Sequence, residues 1–140
     1  MTYEQVKIGE LEFAAHCTPG HTPGHTTFIG HGLVLSGDCL FLGRCGRCDL
    51  FGGSEDKQRQ TLRYLKRVLT TLESNDIVLP GHQYTLKDGT IPTTMNVKEL
   101  LLSNTAILAV DDDRAWSSLD FLAFDDSMAE KARRQRAKRS

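Results

Sequence analysis

Within eight residues the chain reads Thr18-Pro19-Gly20-His21 and then Thr22-Pro23-Gly24-His25. Proline fixes φ and lacks a backbone N–H, and glycine beside it favours turns, so two such pairs in tandem forbid helix and strand alike. The segment must be a fixed loop, and the chain on either side must form separate elements. Before it, residues 3–18 alternate, with Val6, Ile8, Leu11, Phe13 and Ala15 apolar. Period two predicts one or two strands with a turn near Gly9-Glu10. After it, 26–29 and 33–36 are short β-rich runs joined by Gly30-His31-Gly32, the pattern of a hairpin. Leu33-Val34-Leu35 is apolar throughout, as expected of a strand buried on both faces.

The stretch 37–54 holds five glycines and no period, so a long loop is expected, functional or disordered. Ser54, followed by Glu55 and Asp56, supplies a helix cap and acidic groups for the positive end of the helix dipole. Leu62, Leu65, Val68, Leu69 and Leu72 continue that helix at helical spacing. Ile77-Val78-Leu79 reads as a buried strand stopped by Pro80-Gly81. Val97, Leu100 and Leu101 predict a second helix. A third is expected to start at Ser117 or Ser118 and to carry Leu119, Phe121, Leu122 and Phe124. From Met128 the chain is helical by propensity and then strongly basic. A chain of both strands and helices is read as α/β, with 1–125 as one domain portion and 126–140 as a basic helical tail.

A chain of 140 residues suits one domain, and 39% hydrophobic residues, 25% charged residues and a net charge of −1 are ordinary for a soluble protein. Nothing global points to nucleic acid, and no apolar run approaches the roughly 20 residues that span a bilayer. The first residues have neither the basic start nor the apolar stretch of a signal peptide, which sets the expectation of a cytoplasmic location. Cysteines 17, 39, 45 and 48 are then expected as reduced thiols rather than disulfides.

The candidate chemistry gathers at strand ends. Asp38 closes the run Leu33-Val-Leu-Ser-Gly-Asp, His82 closes Ile77-Val-Leu-Pro-Gly-His, and His21 and His25 follow the strand before the loop. Side chains at such ends converge while the scaffold stays rigid. Imidazole nitrogen with carboxylate oxygen suits zinc, iron or manganese. Spacing by itself leaves His25 open between a ligand and a hydrogen-bonded loop residue, and makes His16 and His31 structural or exposed.

Four strings in order sharpen this: Thr18-Pro-Gly-His-Thr-Pro-Gly-His25, Ser36-Gly-Asp-Cys-Leu-Phe41, Gly43-Arg-Cys-Gly-Arg47 and Leu79-Pro-Gly-His-Gln-Tyr-Thr85. Together they resemble the second half of the metallo-β-lactamase superfamily, nearest to the branch of glyoxalase II, the persulfide dioxygenases and related thioester hydrolases. The resemblance implies the αββα sandwich, of which this chain holds one half, a mixed β-sheet with flanking helices. It implies metal ligands at His21, Asp38 and His82, with Asp38 bridging and central to catalysis, and it sets His25 beside the site. It implies zinc, one or two ions, with iron as the alternative, and hydrolysis of a thioester or related acyl compound by metal-activated water. Arg44 and Arg47 are then candidates to hold an anionic thiol carrier, against the alternative of solvated loop charges. Tyr84 either orients a ligand or substrate or simply packs. The second chemistry is a persulfide dioxygenase with a single iron, for which His21 and Asp38 would supply two of three ligands.

The departure matters equally. The family's upstream His-x-His-x-Asp-His motif has no counterpart, and no His-x-His occurs in the chain. The chain is therefore expected to be an excerpt of a longer protein, with two alternatives: a site completed by a partner or second copy, or a non-catalytic half-domain acting as scaffold. A half sandwich would bury its apolar face as a homo-oligomer or against the missing N-terminal half.

Two further motifs have weaker readings. Cys45-Gly46-Arg47-Cys48 is a lone C-x-x-C without the second pair of a zinc site or the strand-to-helix setting of a redox pair. The tail Lys131-Ala-Arg-Arg-Gln-Arg-Ala-Lys-Arg139 can contact phosphates, but carries no aromatic residue to stack on bases, so no nucleic-acid partner is expected.

Overall fold

The computed structural model describes residues 3–50 and 52–123; the expected basic tail 126–140 and Phe124 lie outside them. The elements run β1 (Tyr3–Ile8), β2 (Leu11–Cys17), β3 (Thr26–Gly30), β4 (Leu33–Gly37), α1 (Glu55–Thr70), β5 (Ile77–Pro80), β6 (Met95–Asn96), α2 (Val97–Ser103), α3 (Thr105–Ala109) and α4 (Asp113–Ser117). The strands form one six-stranded sheet in chain order. Three antiparallel pairings join β1 to β4, β5 lies parallel to β4, and β6 pairs antiparallel with β5. A parallel neighbour needs a crossover, and α1 lies on it.

The β3–β4 turn is tighter than the glycines suggest. Gly30 ends β3, and His31 and Gly32 alone make the turn, at φ of 53° and 74°. Two positive φ angles give the two-residue hairpin whose twist matches its strands.

Helix α1 starts as its sequence dictates. Ser54 accepts a hydrogen bond from the Lys57 N–H at 3.2 Å, and Glu55 and Asp56 fill the first turn. Its buried stripe is Gln58, Thr61, Leu62, Leu65 and Leu69. Each fully buried leucine contributes about 2 kcal/mol, so this stripe anchors the helix.

The core lies between the helices and one sheet face, where Val34, Val78 and Met95 meet Leu62, Leu69, Leu100 and Ile107. The other face is different. Pairing aligns Val6 with Phe13, Ala15 with Phe28, Phe28 with Leu35, and Leu35 with Leu79. Of these only Phe13 is buried, while Ile8 and Leu11 farther out are 59% and 47% exposed. The expectation that β4 is buried on both faces is therefore corrected. Val34 and Ser36 are buried but Leu33 and Leu35 are half-exposed, because no described element covers that side.

The expected helix start at Ser117 or Ser118 is also corrected. Asp112 caps α4, accepting from Ala115 N–H at 3.0 Å, and α4 ends at Ser117. Phe121 and Leu122 follow it as buried, non-helical residues. Helix α3 and the two-residue strand β6 were not anticipated at all. No helix among the described residues is long and apolar enough to cross a membrane.

Candidate metal centre

Parallel pairing of β4 and β5 creates the site. Gly37 lies opposite Pro80, and Gly81 donates its N–H to the Gly37 carbonyl at 2.8 Å, so the next residues, Asp38 and His82, leave the sheet side by side. His82 Nδ1 sits 2.5 Å from Asp38 Oδ1. Gly81 permits this approach, since a Cβ there would lie 2.5 Å from Asp38 Oδ1.

The Thr-Pro-Gly-His loop brings in the third group. His21 Nε2 is 3.8 Å from Asp38 Oδ2, so the two carboxylate oxygens of Asp38 face the two histidines separately. His21 Nδ1 donates to the Arg47 carbonyl at 2.5 Å, which leaves Nε2 as the lone-pair nitrogen toward Asp38. Gly46 closes the arrangement: a Cβ there would overlap the Asp38 carbonyl and lie 3.2 Å from His21 Nδ1. His21 is mostly buried, Asp38 about one third exposed and His82 61% exposed, so the site opens to solvent on the His82 side.

His25 lies beside this group. Its Nδ1 meets Thr18 Oγ1 at 2.8 Å, and Thr18 is itself buried and joined to Thr27 Oγ1 at 3.0 Å. Burial lowers the His25 pKa, neighbouring His21 lowers it further, and Asp38 partly opposes both. A neutral imidazole fixed by a hydroxyl is thus held against the site. His16 and His31 lie elsewhere. His16 is buried against the Tyr64 hydroxyl, and His31 accepts from the Glu12 N–H at the hairpin.

The two arginines differ. The Arg44 guanidinium lies 3.7 Å above the Tyr84 ring, whose other neighbour is Phe41, with ring centroids 4.8 Å apart. Phe41 in turn sets its edge against His82. Arg44 and Tyr84 line a cleft of about 790 Å³ with Lys87, Ser118 and Phe121. The Arg47 side chain is instead buried and forms a two-point ion pair with Asp49, at 2.6 Å for each bond. Asp49 engages the Arg47 guanidinium, and what Arg47 turns toward His21 is its carbonyl.

Two residues central to this architecture went unnoticed in the sequence. Gln58 is fully buried on α1 and donates to the carbonyls of Cys39 and Gly46 at 3.1 and 3.2 Å. Asn104 is fully buried and donates to the carbonyls of Phe41, Leu42 and Arg44. Gln58 had one legible signal, a polar residue inside an apolar helical stripe. Asn104 had none beyond its capping propensity.

The donor chemistry, two imidazoles flanking a carboxylate, fits zinc or iron. The count is short. Among the described residues no group of three or more His, Cys, Asp or Glu side chains is set to hold a metal ion, and the three meet pairwise through Asp38.

The family model of the metallo-beta-lactamase superfamily matches residues 4–82, more than half of the chain. The chain belongs to the metallo-beta-lactamase superfamily. It is 41% identical over 76 residues to a hydroxyacylglutathione hydrolase of Tolumonas auensis, covering 54% of this chain and 27% of that protein. The structure of ETHE1 from Myxococcus xanthus superposes with a TM-score of 0.62 at 25% identity, over 94% of this chain and 56% of that one. A di-iron-bound form of TTHA1623 gives 0.51 at 32% identity, over 66% and 41%. These relatives support the glyoxalase II and persulfide dioxygenase-like branch. The chain spans less than half the length of the curated hydroxyacylglutathione hydrolases it matches.

Proposed function

We propose that this superfamily chain carries the second half of the active site of a metal-dependent hydrolase acting on thioesters or related acyl compounds. The observation that carries the reading is Asp38, whose two oxygens face His21 and His82 from the ends of separate elements. His21, Asp38 and His82 would hold the metal, zinc in the hydrolase reading, with remaining ligands supplied from outside the described residues. When bound, such a metal supplies Lewis acidity.

The chain's own residues do the rest. His82 Nδ1 holds the Asp38 carboxylate on one side, His21 turns its Nε2 lone pair toward the other, and His25 stays neutral beside it, adding no positive charge that would repel a cation. Arg44, stacked on Tyr84, and Lys87 give the adjoining cleft two cationic side chains for an anionic thiol carrier. The similarity to hydroxyacylglutathione hydrolases supports a thiol carrier of glutathione type.

A second reading, oxidation of a persulfide by one iron, is supported by the likeness to ETHE1; the di-iron-bound form of TTHA1623 supports iron as the metal but not a single ion. The two readings separate on the metal found and on which substrate turns over.

The bare apolar face supports the same proposal. A sheet with Phe28, Leu35 and Leu79 half-exposed needs a second layer. A complementary first half of the sandwich, or a second copy of this chain, fits it. A cytoplasmic setting is part of the reading, supported by four unpaired cysteines.

Elemental analysis of the purified chain in its assembled state, sized in the same buffer, tests this. The expectation is about one or two equivalents of metal, lost in Asp38→Ala, with hydrolysis of an acyl-glutathione thioester lost in parallel. Equal metal content in the wild type and Asp38→Ala would remove these three residues from the site.

A further inference from the structure

His21 can act as a ligand through Nε2 only while its proton stays on Nδ1. A neutral imidazole in water populates both tautomers, and the partner of the other nitrogen decides between them. Here that partner is the carbonyl of Arg47, a loop residue with no regular structure to hold it.

The surrounding contacts converge on this carbonyl. Gln58 Nε2 donates to Gly46 O, immediately before it, and to Cys39 O, immediately after Asp38. Gly46 N–H returns to Cys39 O at 3.1 Å, and Cys48 N–H donates to Leu122 O at 2.9 Å, so residues on both sides of Arg47 are tied down. The Arg47 side chain is clamped to Asp49 by two parallel bonds, with 9% and 12% of the two side chains exposed. The His21 side is held by the same helix. A Cβ at Gly20 would overlap Gln58 Cα, Ser54 N–H donates to Gly20 O at 2.8 Å, and Thr61 Oγ1 donates to Pro19 O at 2.6 Å. Burying an uncharged amide inside an apolar stripe is unfavourable unless its bonds are made. Methionine would fill the same space without that penalty. The amide is spent on the two loop carbonyls that flank the site.

We propose that Gln58 and the Arg47–Asp49 ion pair are positioning residues that brace the Arg47 carbonyl, fix His21 as the Nδ1–H tautomer and aim its Nε2 at Asp38. This rests on the reading of His21 as a ligand only for its consequence; the tautomer itself is a property of the metal-free chain. Partners that orient a metal-binding histidine typically change metal affinity about 10- to 100-fold when removed.

The experiment is long-range 1H–15N correlation on the 15N-labelled full chain, metal-free at pH 8, followed by zinc titration. The wild type is expected to show His21 protonated at Nδ1 alone. Asp49→Asn and Gln58→Met are each expected to give a tautomer mixture and about a 10- to 100-fold weaker zinc affinity. Asp49→Glu, which keeps a carboxylate for Arg47, is expected to restore the single tautomer. Ile107→Val, a core change remote from the loop, is expected to lower the melting temperature without moving the His21 signals. A His21 that stays a pure Nδ1–H tautomer in folded Asp49→Asn and Gln58→Met overturns the proposal, as does a wild type protonated at Nε2. Tautomer mixing in the variants of a chain that binds no zinc supports the brace while refuting the metal reading.

Discussion

Asn104 offers the sharpest quantitative test of how the loop beside the cleft is held. It closes α2 with its own N–H, which reaches Leu100 O at 2.8 Å, and caps α3 by accepting from Ile107 N–H at 3.0 Å. Its amide nitrogen donates to Phe41 O at 2.9 Å and to Leu42 O and Arg44 O at 3.2 Å each. Two amide protons are shared among three carbonyls, and Arg44 O keeps a bond from Phe41 N–H whatever happens at position 104. Asn104→Ala therefore strips the donor from two buried carbonyls at about 1–1.5 kcal/mol each and removes a cap of about 1 kcal/mol, roughly 3–4 kcal/mol together. For a domain of this size that lowers the melting temperature by roughly 10–15 °C. Asn104→Asp is the discriminating variant. Aspartate caps helices as well as asparagine does, so a residue that only capped α3 would tolerate the change almost freely. A buried carboxylate aimed at three carbonyl oxygens has no such tolerance, and the Asp variant is expected to lose at least as much as the Ala variant at pH 7. Urea denaturation followed by circular dichroism measures both. An Asp variant within about 1 kcal/mol of wild type would refute the brace and leave Asn104 as a cap alone.

Three further outcomes are expected. Gly46→Ala places a Cβ against the Asp38 carbonyl and 3.2 Å from His21 Nδ1; overpacking of about 1–3 kcal/mol should appear in denaturation curves, with bound metal falling in parallel. Burial lowers the His16 pKa below its ordinary 6.5, so the unfolded chain takes up a proton that the fold refuses. Stability is then fully present above the unfolded value and declines as pH falls through it toward the folded one. A melting temperature lower at pH 5.5 than at 7.5, with the difference reduced in His16→Phe, checks the sign. Burial pushes the Cys45 and Cys48 thiols up to about 12 and raises Cys39 as well, whereas Cys17 is exposed. Alkylation at pH 8 should label Cys17 in the native chain and all four cysteines in denaturant, counted by mass spectrometry. Rapid native labelling of Cys45 or Cys48 would revive a redox role for that pair.

Much of this architecture is local physics and was readable as such. The tandem Pro-Gly pairs could only be a loop, the alternation around Phe13 and Ala15 could only be strand, and Ser54 with two acidic neighbours announced α1. Short elements escaped for the same reason. Helices α3 and α4 are five residues each, too short for a periodic signal, and depend on the buried side chains of Ala106, Ile107 and Trp116. Leu33-Val34-Leu35 misled because apolar residues on both faces imply burial on both, and the covering layer is not among the described residues.

The sequence by itself marked His21, Asp38 and His82 as candidates for the chemistry, because each sits in a string whose backbone demands, Pro-Gly or Gly before the candidate residue, are written in adjacent positions. What only the tertiary structure decided is how they meet. Asp38 and His82 lie 44 residues apart in the chain and become neighbours only through the parallel register of β4 and β5. Gln58 and Asn104 reveal themselves only once the carbonyls they serve, 12 to 19 and 60 to 63 residues away, are in place. Periodicity and capping report the nearest few residues along a chain. Hydrogen bonds between distant segments leave no such trace, because any buried amide looks like any other until the fold supplies its partner.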